Sequence, residues 1–167
     1  MQILGGILVL ITTSIIGFYI GNIPSNRKRD LLQFKTIINI LLSEIKRQTP
    51  LKIASSNIAE VSSFPFNKIF KNISLLLETE NPKNAFEISM KTYEKNTYLT
   101  KEDIMIINNC FSIIGSVDSE VQKNAILDLN NLLDSSINDC NEIASKHKKM
   151  YISLGVSFGL LINVLLL

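Results

Sequence analysis

The sequence has no tryptophan, a single histidine and two cysteines in 167 residues. His147 stands among Lys146, Lys148 and Lys149, so there is neither an H-E-x-x-H zinc motif nor a cysteine–histidine metal set. Cys110 and Cys140 form no C-x-x-C and lie thirty residues apart. In a cytoplasmic setting they read as buried thiols rather than a disulfide. No phosphate-binding G-x-x-x-x-G-K-[ST] is present, and no catalytic serine, metal or cofactor is expected. The formal charge of +2 is too small to suggest nucleic acid as a partner. An enzyme is therefore not expected.

Charge is also missing from both ends. Ile3–Ile20 has no charged residue, and Arg27, Lys28 and Arg29 are the first basic residues after it. Tyr151–Leu167 is likewise uncharged, with Asn163 its one strongly polar side chain and Lys146, Lys148 and Lys149 just before it. At about 1.5 Å per residue the second stretch covers roughly 26 Å, near the lower limit for a bilayer's hydrocarbon core. Basic residues on the inner side of both stretches predict a hairpin topology with the termini outside. A signal peptide would want a positive start and a small-residue cleavage site, and neither is visible. The expected division is a transmembrane helix over residues 1–22, a cytoplasmic domain over 23–149 and a second transmembrane helix over 150–167. Each terminal stretch has a small-residue pair at helical spacing, Gly17/Gly21 and Gly155/Gly159. Two readings stay open: close helix packing in lipid, within the chain or with a partner, or the ordinary frequency of glycine in membrane helices.

What lies between is patterned at three and four throughout, with no alternation of period two, so the fold is read as all-α. After Pro24 an amphipathic helix is expected over about Asp30–Gln48, carrying Leu31, Phe34, Ile38, Leu41, Leu42 and Ile45. Thr49-Pro50 reads as a cap and first turn of a second helix with Ile53, Ala54, Ile58 and Val61. Ser62–Pro65 breaks it. A third helix carries Phe66, Ile69, Phe70, Ile73, Leu76 and Leu77, and Asn81-Pro82 starts a fourth with Ala85, Phe86 and Tyr93. Thr100 and Asp103 form a near capping box for a fifth, which Gly115 would close. Asp118 or Ser116 would cap a sixth, which nothing interrupts before Gly155, so it is expected to continue into the closing stretch. The expected architecture is an antiparallel bundle of about six helices between two terminal transmembrane helices.

In order along the chain, Leu4-Gly5, Gly17-Phe18, Leu42-Ser-Glu-Ile45, Thr49-Pro-Leu51, Ile114-Gly-Ser-Val-Asp118 with Gln122, and Tyr151–Leu161 resemble the stage III sporulation protein AB family of endospore-forming Firmicutes. The resemblance runs over nearly the whole chain, with Phe86 where a tryptophan is expected. It implies a non-enzymatic membrane platform of the mother cell–forespore channel, similar to type II secretion and type IV pilus platform proteins. Its implied partners are a stage III sporulation protein AA-like ATPase and other membrane proteins of the same complex, with homo-oligomers possible. The implied location is the mother-cell membrane facing the forespore, and a continuous closing helix would suit passing force from a motor. Gly115, Asp118 and Gln122 are candidate partner-facing or positioning residues. The simpler alternative is that Gly115 ends one helix, Asp118 caps the next and Gln122 is exposed. A regulatory module that captures a soluble protein is the alternative function.

Overall fold

The computed structural model describes residues 2–114 and 118–166; within its helices, the side chains of residues 2–10, 119, 145, 147–149, 163, 165 and 166 fall outside that description. Six α-helices and a short 3-10 turn follow one another: α1 (Gln2–Lys46), α2 (Leu51–Val61), α3 (Phe66–Leu76), α4 (Pro82–Tyr93), the turn Glu94–Asn96, α5 (Lys101–Ile113) and α6 (Ser119–Leu166). No strand occurs among the described residues, as the all-α reading expects. The chain divides into two units, Arg29–Ile137 and Met1–Lys28 with Asn138–Leu167.

The central unit is built on a ladder of phenylalanines. Phe34 of α1 meets Phe66 and Phe70 of α3 at centroid distances of 5.6 and 6.3 Å. Phe70 reaches Phe111 of α5 at 6.4 Å, and Phe86 of α4 stacks on Phe111 at 4.3 Å. All five rings are fully buried, together with Leu31, Ile38, Leu41, Ile58, Ile69, Ile73, Ile107 and Ile126. Burying side chains of this size contributes about 1.5–3 kcal/mol each. Consecutive helices pack on one another from α2 to α5. An ion pair joins Lys35 to Asp134, and one turn further along α1 Asn39 accepts from Asn130 at 3.1 Å. Advancing on α1 while retreating on α6 makes the two helices antiparallel there.

Local chemistry sets most of the helix starts. The Asn81 side chain accepts the Asn84 N–H at 2.9 Å, with Pro82 at the first helical position. Thr100 and Asp103 form a complete capping box, each side chain taking the other's backbone N–H at 3.2 and 2.8 Å. Aspartate thus serves where glutamate is preferred.

Two expectations are corrected. Pro24 does not separate an amphipathic helix from the opening stretch, because it lies inside α1. A mid-helix proline forfeits a backbone hydrogen bond and costs about 3 kcal/mol. In a 45-residue helix the bonds on either side, and the stripe from Leu31 onward anchored in the core, outweigh that loss. The second correction is at the α1–α2 turn. Thr49 is not the cap of α2; Pro50 holds that position, without a side-chain bond. Thr49 instead donates its N–H to Glu44 O at 3.0 Å, and Gln48 donates to Ile45 O at 2.9 Å. These two bonds make a Schellman closure of α1, and Gln48 is forced to φ 58°.

Candidate functional site

In the terminal unit, α1 and α6 meet at a point where both lack side chains. A Cβ placed on Gly17 would lie 2.8 Å from the Tyr151 carbonyl oxygen and 3.2 Å from the Gly155 Cα. One placed on Gly155 would lie 2.8 Å from the Thr13 carbonyl oxygen and 3.2 Å from the Gly17 Cα. Both obstacles are backbone, so neither can rotate aside. Gly21 and Gly159 are buried in the same unit. Large apolar side chains of this unit face outward: Ile15 is 62% exposed, Phe18 58%, Phe158 64% and Val164 75%. Among the described residues, no helix is long and apolar enough to cross a membrane.

Gly155-Val-Ser-Phe-Gly159 has the G-x-S-x-G spacing of a serine-nucleophile elbow, contrary to the expectation that no such serine would be found. The chemistry needs a sharp strand-to-helix turn that lifts the serine over a sheet. Ser157 is instead an exposed residue in the interior of α6. Its spacing is that of a helix-crossing stripe and supplies no activated nucleophile.

At the start of α6, exposed Asp118 accepts the N–H groups of Glu120 and Val121 at 2.8 and 3.4 Å. Gln122 donates its own N–H to the Asp118 carbonyl at 3.2 Å and is half-buried. Asp118 therefore acts as a helix cap, satisfying amide groups that the first turn cannot pair. Gly115 lies outside the described residues, as does Ser116, the other candidate cap. Of the basic residues, Arg27 and Lys28 are half-buried, Arg29 is exposed with its guanidinium 3.4 Å from Asp30, and Lys146 pairs with Glu142. The side chains of Lys148 and Lys149 lie outside the described residues.

Two features escaped the sequence reading. Asp30, at the end of a basic run, is 2% exposed and accepts the Tyr98 N–H at 2.8 Å, tying α1 to the loop before α5. Nothing local signals this, because the two residues are sixty-eight apart. The other is a groove of about 150 Å³ between α5 and α6 lined by Ile106, Cys110, Ile113, Ala125, Leu129 and Leu132, with Asp128 beside it. Burial, and secondarily the Asp128 charge, pushes the Cys110 thiol up to about 12. It is protonated at neutral pH and a poor nucleophile. No group of three or more histidine, cysteine or acidic side chains among the described residues could hold a metal.

The family model described as stage III sporulation protein AB matches residues 2–167. The chain belongs to the stage III sporulation protein AB family. The stage III sporulation protein AB of Bacillus subtilis (strain 168) is 28% identical over 170 residues, spanning 100% of this chain and 99% of that protein. A solved structure of a stage III sporulation protein AB has a TM-score of 0.66 at 24% identity, covering 71% of this chain and 96% of that one. That likeness shows the fold. Family membership fits a component of a sporulation complex.

Proposed function

We propose that this chain is a non-enzymatic platform component of the mother cell–forespore channel, held in the mother-cell membrane by its two apolar ends. In this reading residues 23–149 lie in the cytoplasm and dock a secretion-type ATPase, while the terminal helices meet other membrane proteins of the complex. The observation that carries it is the inverted terminal unit: glycine at the helix crossing and large apolar side chains outside. In water, exposed apolar surface costs about 25 cal/mol per Å² relative to burial. Lipid removes that cost, and without a hydrophobic force between helices close backbone approach becomes the means of association. The uncharged stretch Ile3–Ile20 extends beyond the described side chains, which begin at Ile11 in α1. Arg27–Arg29 and Lys146–Lys149 would hold both inner ends on the cytoplasmic side.

The test uses the full-length protein. After expression, it is expected in the membrane fraction and to remain there through an alkaline carbonate wash. Solubilised in mild detergent, it is expected to bind the candidate ATPase saturably, with and without nucleotide. Release by carbonate would sink the anchoring, and absence of binding by folded, helical protein would sink the docking.

A further inference from the structure

The loops at the two ends of the central unit are held in different ways. At the end reached by Lys46, the turns close on their own backbone. Gln48 and Thr49 donate to the carbonyls of Ile45 and Glu44, while Thr79 and Glu80 both donate to Leu76 O, at 3.0 and 2.8 Å. Glu78 pairs with Lys52 at the start of α2, which places the α3–α4 turn at this same end. At the opposite end, where α1 begins its run through the unit, the loops are tied to α1 itself. The buried Asp30 carboxylate accepts the Tyr98 N–H at 2.8 Å, and the Gln33 side chain donates to Ser63 O at 3.1 Å. The first bond holds the connection from α4 to α5, and the second holds the turn from α2 to α3. Positions three apart are neighbours on a helix surface, so one turn of α1 grips both. A buried carboxylate is costly to leave unpaired, so the Tyr98 loop does not part from α1 cheaply.

α1 runs unbroken from Gln2 to Lys46, so Gly17 at the helix crossing and Asp30 at the loop belong to one element. α6 is as long, but it is bonded to α1, by Asp134 to Lys35 and by Asn130 to Asn39. It enters the core with Ile126, Leu129, Leu133 and Ile137. Apolar contacts of that kind are non-directional and tolerate a small rotation, whereas a hydrogen bond weakens steeply as its angle changes. We infer that α1, rather than α6, hands a displacement of the terminal helices on to the central unit, with Asp30 and Gln33 as its two points of grip. A turn or shift of α1 moves Tyr98 and Ser63, and with them the α4–α5 connection and the α2–α3 turn. The turns at the other end, closed on themselves, stay as they are. A continuous element with fixed contacts at both places is a physical route by which one site biases another. The inference goes beyond the platform reading and holds whichever partner meets the central unit.

The experiment is hydrogen exchange of the full-length protein in mild detergent. Gly17→Leu supplies the displacement, and Gly17→Ala, whose Cβ meets the same Tyr151 carbonyl, replaces it if the larger residue is not accommodated. Exchange is expected to quicken at least about fivefold at residues 62–64 and 97–100, the low end of coupling between separate sites. It is expected to stay unchanged around Phe70 and at residues 79 and 80. With Asp30→Ala and Gln33→Ala together, both loops should already exchange fast, and Gly17→Leu should add less than about twofold. Asp134→Ala with Asn130→Ala cuts the bonds from α6 to α1 and should leave the response in place. Circular dichroism establishes that each variant is folded. Gln33→Ala alone, at a half-buried position, is the milder substitute and should silence the response at residues 62–64 only. Loops that ignore Gly17→Leu overturn the inference. So does a response that persists once both grips are removed, or one that vanishes when α6 is cut from α1.

Discussion

The two units bring helices together by opposite means. In Arg29–Ile137 five of the six phenylalanines fill the interior: Phe34, Phe66, Phe70, Phe86 and Phe111 are at most 1% exposed. In the terminal unit the same kinds of side chain face out, and what lies at the helix crossing is glycine. The first arrangement is the one water imposes: apolar area is removed from solvent and the helices stand apart by the width of their side chains. The second gains little from water, since its apolar side chains remain outside. It gains from dispersion contacts between backbones that approach closely, which suits apolar surroundings. Helical patterning of period three and four describes both units equally well; the position of the small residues distinguishes them.

The largest blow to this contrast should come from Phe111→Ala. Phe111 stacks on Phe86 and meets Phe70, so its loss opens a cavity at the junction of α3, α4 and α5. A cost of about 3–5 kcal/mol is expected, read as a fall in the urea midpoint of the central unit. Phe18→Ala removes the same atoms from a ring that is 58% exposed. In detergent it should leave that midpoint unchanged. Equal losses from the two variants would abolish the distinction between the units.

Next in size is Gly17→Leu. The new Cβ alone meets the Tyr151 carbonyl at 2.8 Å, so the helices must part, at a cost of about 1–3 kcal/mol typical of overpacking. Hydrogen exchange should quicken at residues 11–20 and 150–160 while the amides around Phe70 and Phe111 keep their protection. Gly155→Leu should do the same, because the two glycines face each other. Unchanged exchange in both variants would refute the close crossing.

How far the sequence could be read follows from the range of each cause. Asn81, Thr100 and Asp118 start their helices through bonds to groups two or three residues away, so their roles were visible. The apolar stripe of α1 was visible too, apart from the fully packed Ile37. In α2, Ile53 and Val61 continue the apolar pattern yet are 51% and 68% exposed, because only Ala54, Ser55 and Ile58 face the core. Pro24 misled because a local penalty was weighed without the long helix that absorbs it. Packing of the two glycine-bearing stretches on each other was one of the open readings, but that Gly17 meets Gly155, 138 residues away, could not be told from spacing. The α5–α6 groove was hidden for the same reason.

Asp118→Ala is a smaller change and bears on the central unit alone. Losing the side-chain acceptor for Glu120 and Val121 should cost about 1 kcal/mol, seen as a modest drop in the denaturation midpoint. Thr100→Ala, which removes one half of a capping box, gives a matched comparison of similar size. If ATPase binding falls with Asp118→Ala but not with Thr100→Ala, although both lose equal stability, Asp118 contacts the partner as well as capping α6. Equal behaviour would confine Asp118 to its cap.

The smallest expected effect has the opposite sign. Gln48 closes α1 at φ 58°, a left-handed conformation that costs an L-residue about 1–2 kcal/mol. Gln48→Gly removes that penalty, while the added freedom of glycine in the unfolded chain takes back about 0.5–1 kcal/mol. The net should be a stabilisation of about 0.5 kcal/mol. The two bonds that fix the turn, Gln48 N–H to Ile45 O and Thr49 N–H to Glu44 O, use backbone atoms only and survive the change. Gln48→Ala should not stabilise, since alanine keeps the Cβ that the conformation disfavours. The gain should appear in the denaturation midpoint of Arg29–Ile137 and be absent from the exchange rates at the Gly17–Gly155 crossing, where the constraint is close backbone approach and not a turn.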